Sequence, residues 1–122
     1  MGTFNSFEEI PVWQKARLLV QNIYRITGKP IFKNDYGLRE QIQRAGVSIM
    51  ANIAEGFELN NKREFIRFLK YSKASCGELR SHLYVAFDNH YITEKEFTDL
   101  KNQAIRLSQE ISGFIKYLKS LS

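Results

Sequence analysis

Basic residues are concentrated in one short stretch of the sequence, residues 62–73, which contains five of them and a single acid, Glu64. On a helix with 100° per residue, Arg63, Arg67 and Lys70 fall within about 60° of one another and form a ridge. Such a ridge can follow a phosphate backbone, because Lys and Arg displace condensed counterions without reading the bases. The same pattern is typical of an ordinary solvated helix face, so the charges alone leave both interpretations open. The candidates for phosphate contact in this stretch are Lys62, Arg63, Arg67, Lys70 and Lys73.

One aromatic residue, Tyr71, lies on the flank of this ridge. An aromatic ring beside basic side chains can stack on an unpaired nucleic-acid base. It can also pack against its own helix, and packing is the interpretation that the sequence favours.

Polar residues surrounded by alanines and glycines form a second pattern. Their spacings of three and four residues place each set on one helical stripe, and the small neighbours would let two helices approach closely. The polar groups are then expected either to bond across the interface or to cap the turn at Gly56, and a half-buried carboxylate there would need a partner such as Arg44. A catalytic pair of glutamates is the alternative, which is disfavoured because no acid–base partner is apparent. The predicted structural polar cluster consists of Ser48, Asn52, Glu55, Ser75 and Glu78.

Known catalytic and metal-binding patterns are missing from the sequence. A di-iron centre in a helical bundle needs a Glu-x-x-His motif on each of two helices, whereas Glu78 and His82 are four residues apart and His90 falls in a predicted turn. Cys76 would act as a nucleophile only beside a base that lowers its pKa, and its position favours a place in the core. The glycines are dispersed and form no phosphate-binding loop. The sequence therefore predicts no metal, no cofactor and no enzymatic activity.

The composition fits an ordinary globular protein with a mild basic bias. The 122 residues suit one domain, residues 1–122, with 43% hydrophobic and 25% charged residues. The 18 Lys and Arg against 13 Asp and Glu give a net charge of +5, which slightly favours polyanionic partners. No apolar run reaches the length of a membrane span, and the N-terminus lacks a secretory pattern. Together with a lone cysteine, which fits a reducing compartment, these features predict a cytoplasmic protein without membrane contact.

Four amphipathic helical segments are expected to position these residues, over about residues 11–27, 35–55, 62–87 and 94–120. Eight apolar residues of the last segment alternate by three and four positions, a repeat typical of left-handed, near-antiparallel helix packing. Short connections force consecutive helices to run antiparallel, so we predict an all-α, up-and-down antiparallel four-helix bundle. The eight residues are Phe97, Leu100, Ala104, Leu107, Ile111, Phe114, Leu118 and Leu121.

Caps and stop signals define the boundaries of these segments. Gly28 and Pro30 end the first segment, and Gly56 is interpreted as the C-terminal signal of the second. The N-cap residues are predicted to be Asn34 or Asp35, then Asn61, and then Thr93, the last in a capping box with Glu96.

These stretches resemble the family of four-helix bundle proteins encoded in 23S ribosomal RNA intervening sequences, also called the S23 ribosomal protein family, which includes the accessory variability determinant of diversity-generating retroelements. The resemblance covers nearly the whole chain from Val12 onwards. Its most specific motifs are residues 38–49, 52–56 and 75–79, together with Glu64-Phe65 and Phe68-Leu69. The family usually has two adjacent arginines where this chain has Gln43-Arg44, and a glycine where this chain has Ala74.

The resemblance implies a homopentameric, barrel-like assembly of bundles whose positive surface engages nucleic acid, with no known catalysis. On this ground Arg44 joins the nucleic-acid-binding candidates, and the retroelement branch would add a reverse transcriptase and its template RNA as partners. A pentamer would also cover Trp13, Tyr24 and Tyr117 if they are exposed on one bundle.

We therefore predict a non-enzymatic, basic, oligomeric scaffold that binds RNA or RNA–DNA mainly through backbone contacts. The alternative is a protein–protein adaptor whose positive charge serves only solubility.

Overall fold

The computed structural model describes residues 3–121, which form an up-and-down antiparallel bundle of four helices. The helices are α1 (Pro11–Thr27), α2 (Tyr36–Glu58), α3 (Lys62–Asp88) and α4 (Glu94–Ser120). No strand occurs within residues 3–121, which confirms the predicted all-α class. No helix in this part of the chain is long and apolar enough to cross a membrane.

Side-chain caps define where three of the helices begin, as the sequence predicts. Asp35, and not Asn34, caps α2 by accepting a hydrogen bond from the backbone N–H of Leu38 at 3.1 Å. Asn61 caps α3 through the N–H of Glu64 at 3.0 Å. Before α4, Thr93 and Glu96 form a complete capping box, which satisfies two backbone donors that a helix start leaves unpaired.

Gly56 is not the end of α2, which continues to Glu58, so the predicted stop signal is wrong. The physical reason is the neighbouring helix. A Cβ atom at Gly56 would lie 2.6 Å from the Cβ of Phe68 and 3.4 Å from the Cα of Phe65 on α3. The glycine therefore serves a close approach of two helices. The chain instead reverses at Asn60, whose φ of 50° lies in the left-handed region that asparagine tolerates.

Two short 3₁₀ helices that the sequence analysis did not predict complete the bundle. One covers Phe7–Glu9 before α1, and the other covers Pro30–Asn34 between α1 and α2. The second carries Phe32, whose side chain is fully buried and packs on Tyr91 with ring centroids 5.5 Å apart. The connection between α1 and α2 is therefore part of the core.

The core follows the predicted stripes, with one shift at the end of α4. Six of the eight residues predicted for the α4 stripe, from Phe97 to Ile111 and Leu118, are buried. Phe114 and Leu121 are only partly buried, and Ile115, next to Phe114, occupies a buried position instead. The Phe114 ring packs edge-on against the buried ring of Phe65, at a centroid distance of 5.6 Å.

Cys76 lies in this core with no exposed surface. Burial raises the pKa of its thiol to about 11, and the positive charges of Lys73 and Arg80 offset only part of that effect. The thiol is therefore neutral at physiological pH, which is the opposite of what a nucleophilic cysteine requires.

We expect Gly56→Ala and Gly77→Ala to change the free energy of unfolding in opposite directions. Both substitutions improve helix propensity by about 1 kcal/mol, but an added Cβ meets nothing within 4 Å at Gly77 and clashes at Gly56. Gly77→Ala should therefore stabilise by about 0.5–1 kcal/mol, and Gly56→Ala should destabilise by about 1–2 kcal/mol net. Urea denaturation followed by circular dichroism measures both, and equal stabilisation would contradict the tight seam at Gly56.

The Cys76 thiol should resist modification in the folded protein. At pH 8, a disulfide-exchange reagent such as dithionitrobenzoate should release almost no thiolate signal from native protein, and one equivalent per chain after denaturation. Rapid labelling of the native protein, at the rate of a small-molecule thiol, would contradict the burial and the raised pKa of this group.

Candidate nucleic-acid interface

A surface concavity of about 730 Å³ lies at the end of the bundle where α3 begins and α4 ends. Five basic side chains and one acidic side chain line it, together with Asn61 and Ile66. The charged residues are Lys62, Arg63, Glu64, Arg67, Lys70 and Lys119.

A hydrogen bond between the first residue of α3 and the residue that follows α4 joins the two sides of this concavity. The Nζ atom of Lys62 donates a hydrogen bond to the carbonyl oxygen of Leu121 at 2.5 Å, which joins the start of α3 to the end of α4. This contact places Lys119 beside the ridge of α3. Sequence reasoning missed Lys119, because it is 57 positions away from Lys62 and only the antiparallel packing of α3 and α4 brings the two together.

Arg67 lies at the centre of a network on the outer face of α3. Its Nη2 and Nε atoms contact Oε2 of Glu64 at 2.6 and 2.8 Å, and its Nη1 donates to the hydroxyl oxygen of Tyr71 at 2.8 Å. The guanidinium carbon also lies 5.1 Å from the Phe68 ring centroid and 5.5 Å from that of Tyr71. The hydrogen bonds to Glu64 and then to Tyr71 raise the pKa of Arg67 further above its already high value. Arg67 is thus fully charged and held in one orientation.

The other basic residues of the concavity leave a net positive charge. Arg63, Lys70 and Lys119 form no ion pair with any residue between positions 3 and 121, and Lys62 bonds to a neutral carbonyl. Among residues 3–121, Glu64 is the one acid lining the concavity, and Arg67 already pairs with it. Within this part of the chain, the four remaining cations therefore attract an anion without competition from an unpaired carboxylate of the concavity.

Two of the six predicted nucleic-acid contacts lie outside the concavity. The Nζ atom of Lys73 donates to Oγ of Ser108 on α4 at 3.0 Å. Arg44 is exposed on α2, one turn before Ser48, which contacts α3 two residues beyond Lys73. The structure therefore brings together Lys62, Arg63, Arg67 and Lys70 but not the other two.

Part of the predicted polar cluster forms a hydrogen-bonded seam between α2 and α3. The hydroxyl oxygens of Ser48 and Ser75 lie 3.0 Å apart across the interface, and the Asn52 amide donates to both the carbonyl and the hydroxyl of Ser48. Beneath them, the fully buried hydroxyl of Ser72 donates to the carbonyl oxygen of Ile49 at 2.7 Å. These bonds fix the register of the two helices.

The two glutamates of the predicted cluster do not enter this seam. Glu55 and Glu78 are exposed, so neither needs Arg44 as a partner. Glu78 lies 3.4 Å from Nε2 of His82 on its own helix. The expectation of carboxylates inside the interface is therefore wrong, because their position on the helix carries them past the edge of the contact. Within residues 3–121, no group of three or more His, Cys, Asp or Glu side chains is close enough to hold a metal ion.

A second cavity, mainly apolar and about 440 Å³ in volume, lies between the N-terminal segment, α1 and α4. Phe4, Val12, Phe114 and Tyr117 line it, and the ion pair between Lys15 and Glu110 lies beside it. Tyr117 is 48% exposed.

The aromatic residues singled out for oligomer contacts are exposed to different degrees. Tyr24 is 47% exposed on α1, whereas Trp13 is partly buried against Phe7 at a ring-centroid distance of 5.1 Å. Leu18, which the sequence analysis did not single out, is 55% exposed on the side of α1 that faces α4.

The fold of this bundle is similar to that of a protein whose structure has been solved. A protein of unknown function from the S23 ribosomal protein family of Bacteroides thetaiotaomicron superposes with a TM-score of 0.78, covering 86% of this chain and 98% of that chain at 23% identity. At that level of identity the likeness shows a shared fold. A search of curated proteins finds none that matches this chain.

A match to a family model identifies the sequence family independently of that superposition. A family model described as 23S rRNA-intervening sequence protein matches residues 8–113, which is most of the chain. The chain therefore belongs to the 23S rRNA-intervening sequence protein family.

Proposed function

We propose that this protein is a non-enzymatic, oligomeric scaffold that binds RNA, or RNA–DNA, through the phosphate backbone. The observation that carries the proposal is the concavity between α3 and α4, where the one acid among the described residues is already paired with Arg67. The remaining cations, Lys62, Arg63, Lys70 and Lys119, come from two helices and face the same space. Flexible ammonium and guanidinium groups of this kind bind phosphates by releasing counterions, with no need for base contacts.

The family membership supports RNA as the polyanion, since the family is named for an intervening sequence of 23S rRNA. The non-enzymatic part of the proposal rests on the state of the candidate chemical groups. The Cys76 thiol is buried with a pKa of about 11, and the candidate glutamates Glu55 and Glu78 are exposed on different helices.

The proposal includes assembly into a homopentamer in the cytoplasm. Support for assembly comes from exposed apolar side chains on α1 and α4, among them Leu18 and Tyr117, which a single bundle leaves in water. A reverse transcriptase becomes a further partner if the gene lies beside one, and the ribosomal branch is indicated if it lies inside a ribosomal RNA operon.

A protein–protein adaptor is the second candidate function, and the apolar cavity beside Phe4 and Tyr117 is the observation that favours it. In this case the positive charges would serve only solubility. The two functions differ in their dependence on salt, since an apolar contact is not weakened by added salt and a phosphate contact is.

We expect the triple substitution of Arg63, Lys70 and Lys119 by alanine to weaken RNA binding and to flatten its salt dependence. A fluorescein-labelled RNA hairpin with a single-stranded loop is the probe, and fluorescence anisotropy at several salt concentrations gives the slope of log affinity against log salt. Three lost contacts should reduce the slope by about 2, since each single-strand phosphate contact contributes about 0.7. Arg67 is left intact because its charge is already matched by Glu64.

The matched control replaces Arg25, Lys33 and Lys95, which lie at the opposite end of the bundle, by alanine. This variant has the same net charge as the first and should keep the wild-type slope. An unchanged slope in the first variant would contradict the assignment of the concavity as the phosphate-binding site. Absence of binding by the wild type at physiological salt would favour the adaptor.

The pentamer predicts a molar mass of five times the 14.3 kDa of one chain. Light scattering after size-exclusion chromatography measures this mass directly. Replacing the exposed Leu18 by glutamate should lower it if this side chain is covered in the assembly, because an unpaired carboxylate in an apolar interface is costly. A monomeric wild-type protein would contradict the assembly.

A further inference from the structure

We propose that the ring of Tyr71, held in place by Arg67, is a stacking platform for an unpaired base. The basic concavity would then take a single-stranded segment of nucleic acid in preference to a continuous duplex. This inference rests on the nucleic-acid binding proposed above and specifies the form of the ligand.

Tyr71 lies at the edge of the concavity, within reach of the bases of a strand whose phosphates bind there. It follows Lys70 directly and lies one helical turn beyond Arg67, and both of these residues line the concavity. Its side chain is 45% exposed, so the packing that the sequence favoured covers only part of the ring. A large ring left in water beside unpaired cations is the combination by which single-strand binders hold bases and phosphates together.

The contacts around Tyr71 fix the ring and leave part of it exposed. Its hydroxyl accepts a hydrogen bond from Arg67 at 2.8 Å, and its ring meets that of Phe68 edge-on at a centroid distance of 5.5 Å. Phe68 in turn packs over Gly56 in the seam between α2 and α3. A base that stacks here therefore meets a ring that is already ordered, and the entropy cost of binding is reduced.

Arg67 contributes a planar surface more than a free charge. The Glu64 carboxylate compensates the positive charge of the guanidinium and holds it against both aromatic rings. The phosphate attraction is left to Arg63, Lys70 and Lys119, which have no such partner in the described part of the chain. Guanidinium planes stack on bases as aromatic rings do, so Arg67 and Tyr71 together extend the platform. A duplex cannot use it, because the faces of its bases are covered by their neighbours.

The chain offers a matched control in Tyr36. Its side chain is 59% exposed, and Arg39 lies over its ring at 5.8 Å. The same pair of residue types therefore occurs at the start of α2, away from the concavity.

The experiment compares two fluorescein-labelled probes of equal length, a single-stranded oligoadenylate and an RNA duplex, by anisotropy at fixed salt. Electrostatics alone favours the duplex, which carries more charge per length. We expect Tyr71→Ala to weaken single-strand binding by about 5- to 140-fold, the range that loss of one stacked base corresponds to. Duplex binding and the salt slope should stay at the wild-type level. Tyr71→Phe should retain most of the affinity, and Tyr36→Ala should behave as wild type on both probes.

Circular dichroism establishes that each variant is folded, and photo-crosslinking of a thiouridine-substituted strand to the wild type gives a measurement that needs no variant. The crosslinked peptide should contain Tyr71. Crosslinks confined to other helices, or unchanged single-strand affinity in Tyr71→Ala, would overturn the inference. Equal loss on both probes, or equal competition by polyglutamate, would overturn it as well.

Failure of this inference is distinguishable from failure of the proposed function. If the wild type binds RNA with a salt slope that the concavity triple variant flattens, but Tyr71→Ala has no effect, only the stacking platform is lost. If the wild type binds neither probe, the nucleic-acid function itself is lost.

Discussion

Gly56 lets the backbone of α2 pass directly against Phe65 and Phe68 on α3, at a distance that no larger residue permits. Above this contact, Ser72 and Ser75 bond to α2, and a buried hydroxyl such as that of Ser72 would cost about 1–3 kcal/mol if it lost its partner. The register of α2 and α3 is therefore fixed at several points. Since Phe68 is held in this seam, the next positions around the helix, Arg67 and Tyr71, must point outwards.

The electrostatic character of the surface depends on pairing more than on the number of basic residues. Arg67 is paired with Glu64, and because this ion pair is exposed to solvent, it contributes little to stability. Its main physical consequence is orientation of the guanidinium and the neighbouring ring. Lys73 is directed to Ser108 on α4. The attractive field comes instead from cations that form no ion pair within residues 3–121, and one of these, Lys119, belongs to a different helix.

Sequence patterns predicted the helices well because their caps and apolar repeats are local. Asp35, Asn61 and Thr93 each act within their own first turn, so neighbouring residues are enough to recognise them. Gly56 was misinterpreted because a glycine that ends a helix and one that admits a second helix look the same in sequence.

The same limit explains what was missed at the candidate site. Lys119 joins the concavity only through the packing of α3 on α4, and Phe32 enters the core from a connection whose Gly28 and Pro30 indicate a loop. The serines of the polar cluster were predicted correctly, since their interhelical bonds require only the right stripe. The positions of the glutamates were not predicted correctly, because a small rotation around the helix axis moves a side chain from the seam into solvent.

The bond from Lys62 to the carbonyl of Leu121 joins two parts of the molecule that differ in local stability. The start of α3 belongs to a hairpin of helices joined by a short loop, whose contacts are close in sequence and tightly packed. The last turn of α4 is a helix end, where fraying costs less free energy than opening of a helix interior, and Leu118 anchors this turn in the core. When the turn unwinds, Lys119 leaves the concavity and Lys62 loses its anchor. The positive field at this end of the bundle therefore depends on the docking of the last turn of α4 against the core.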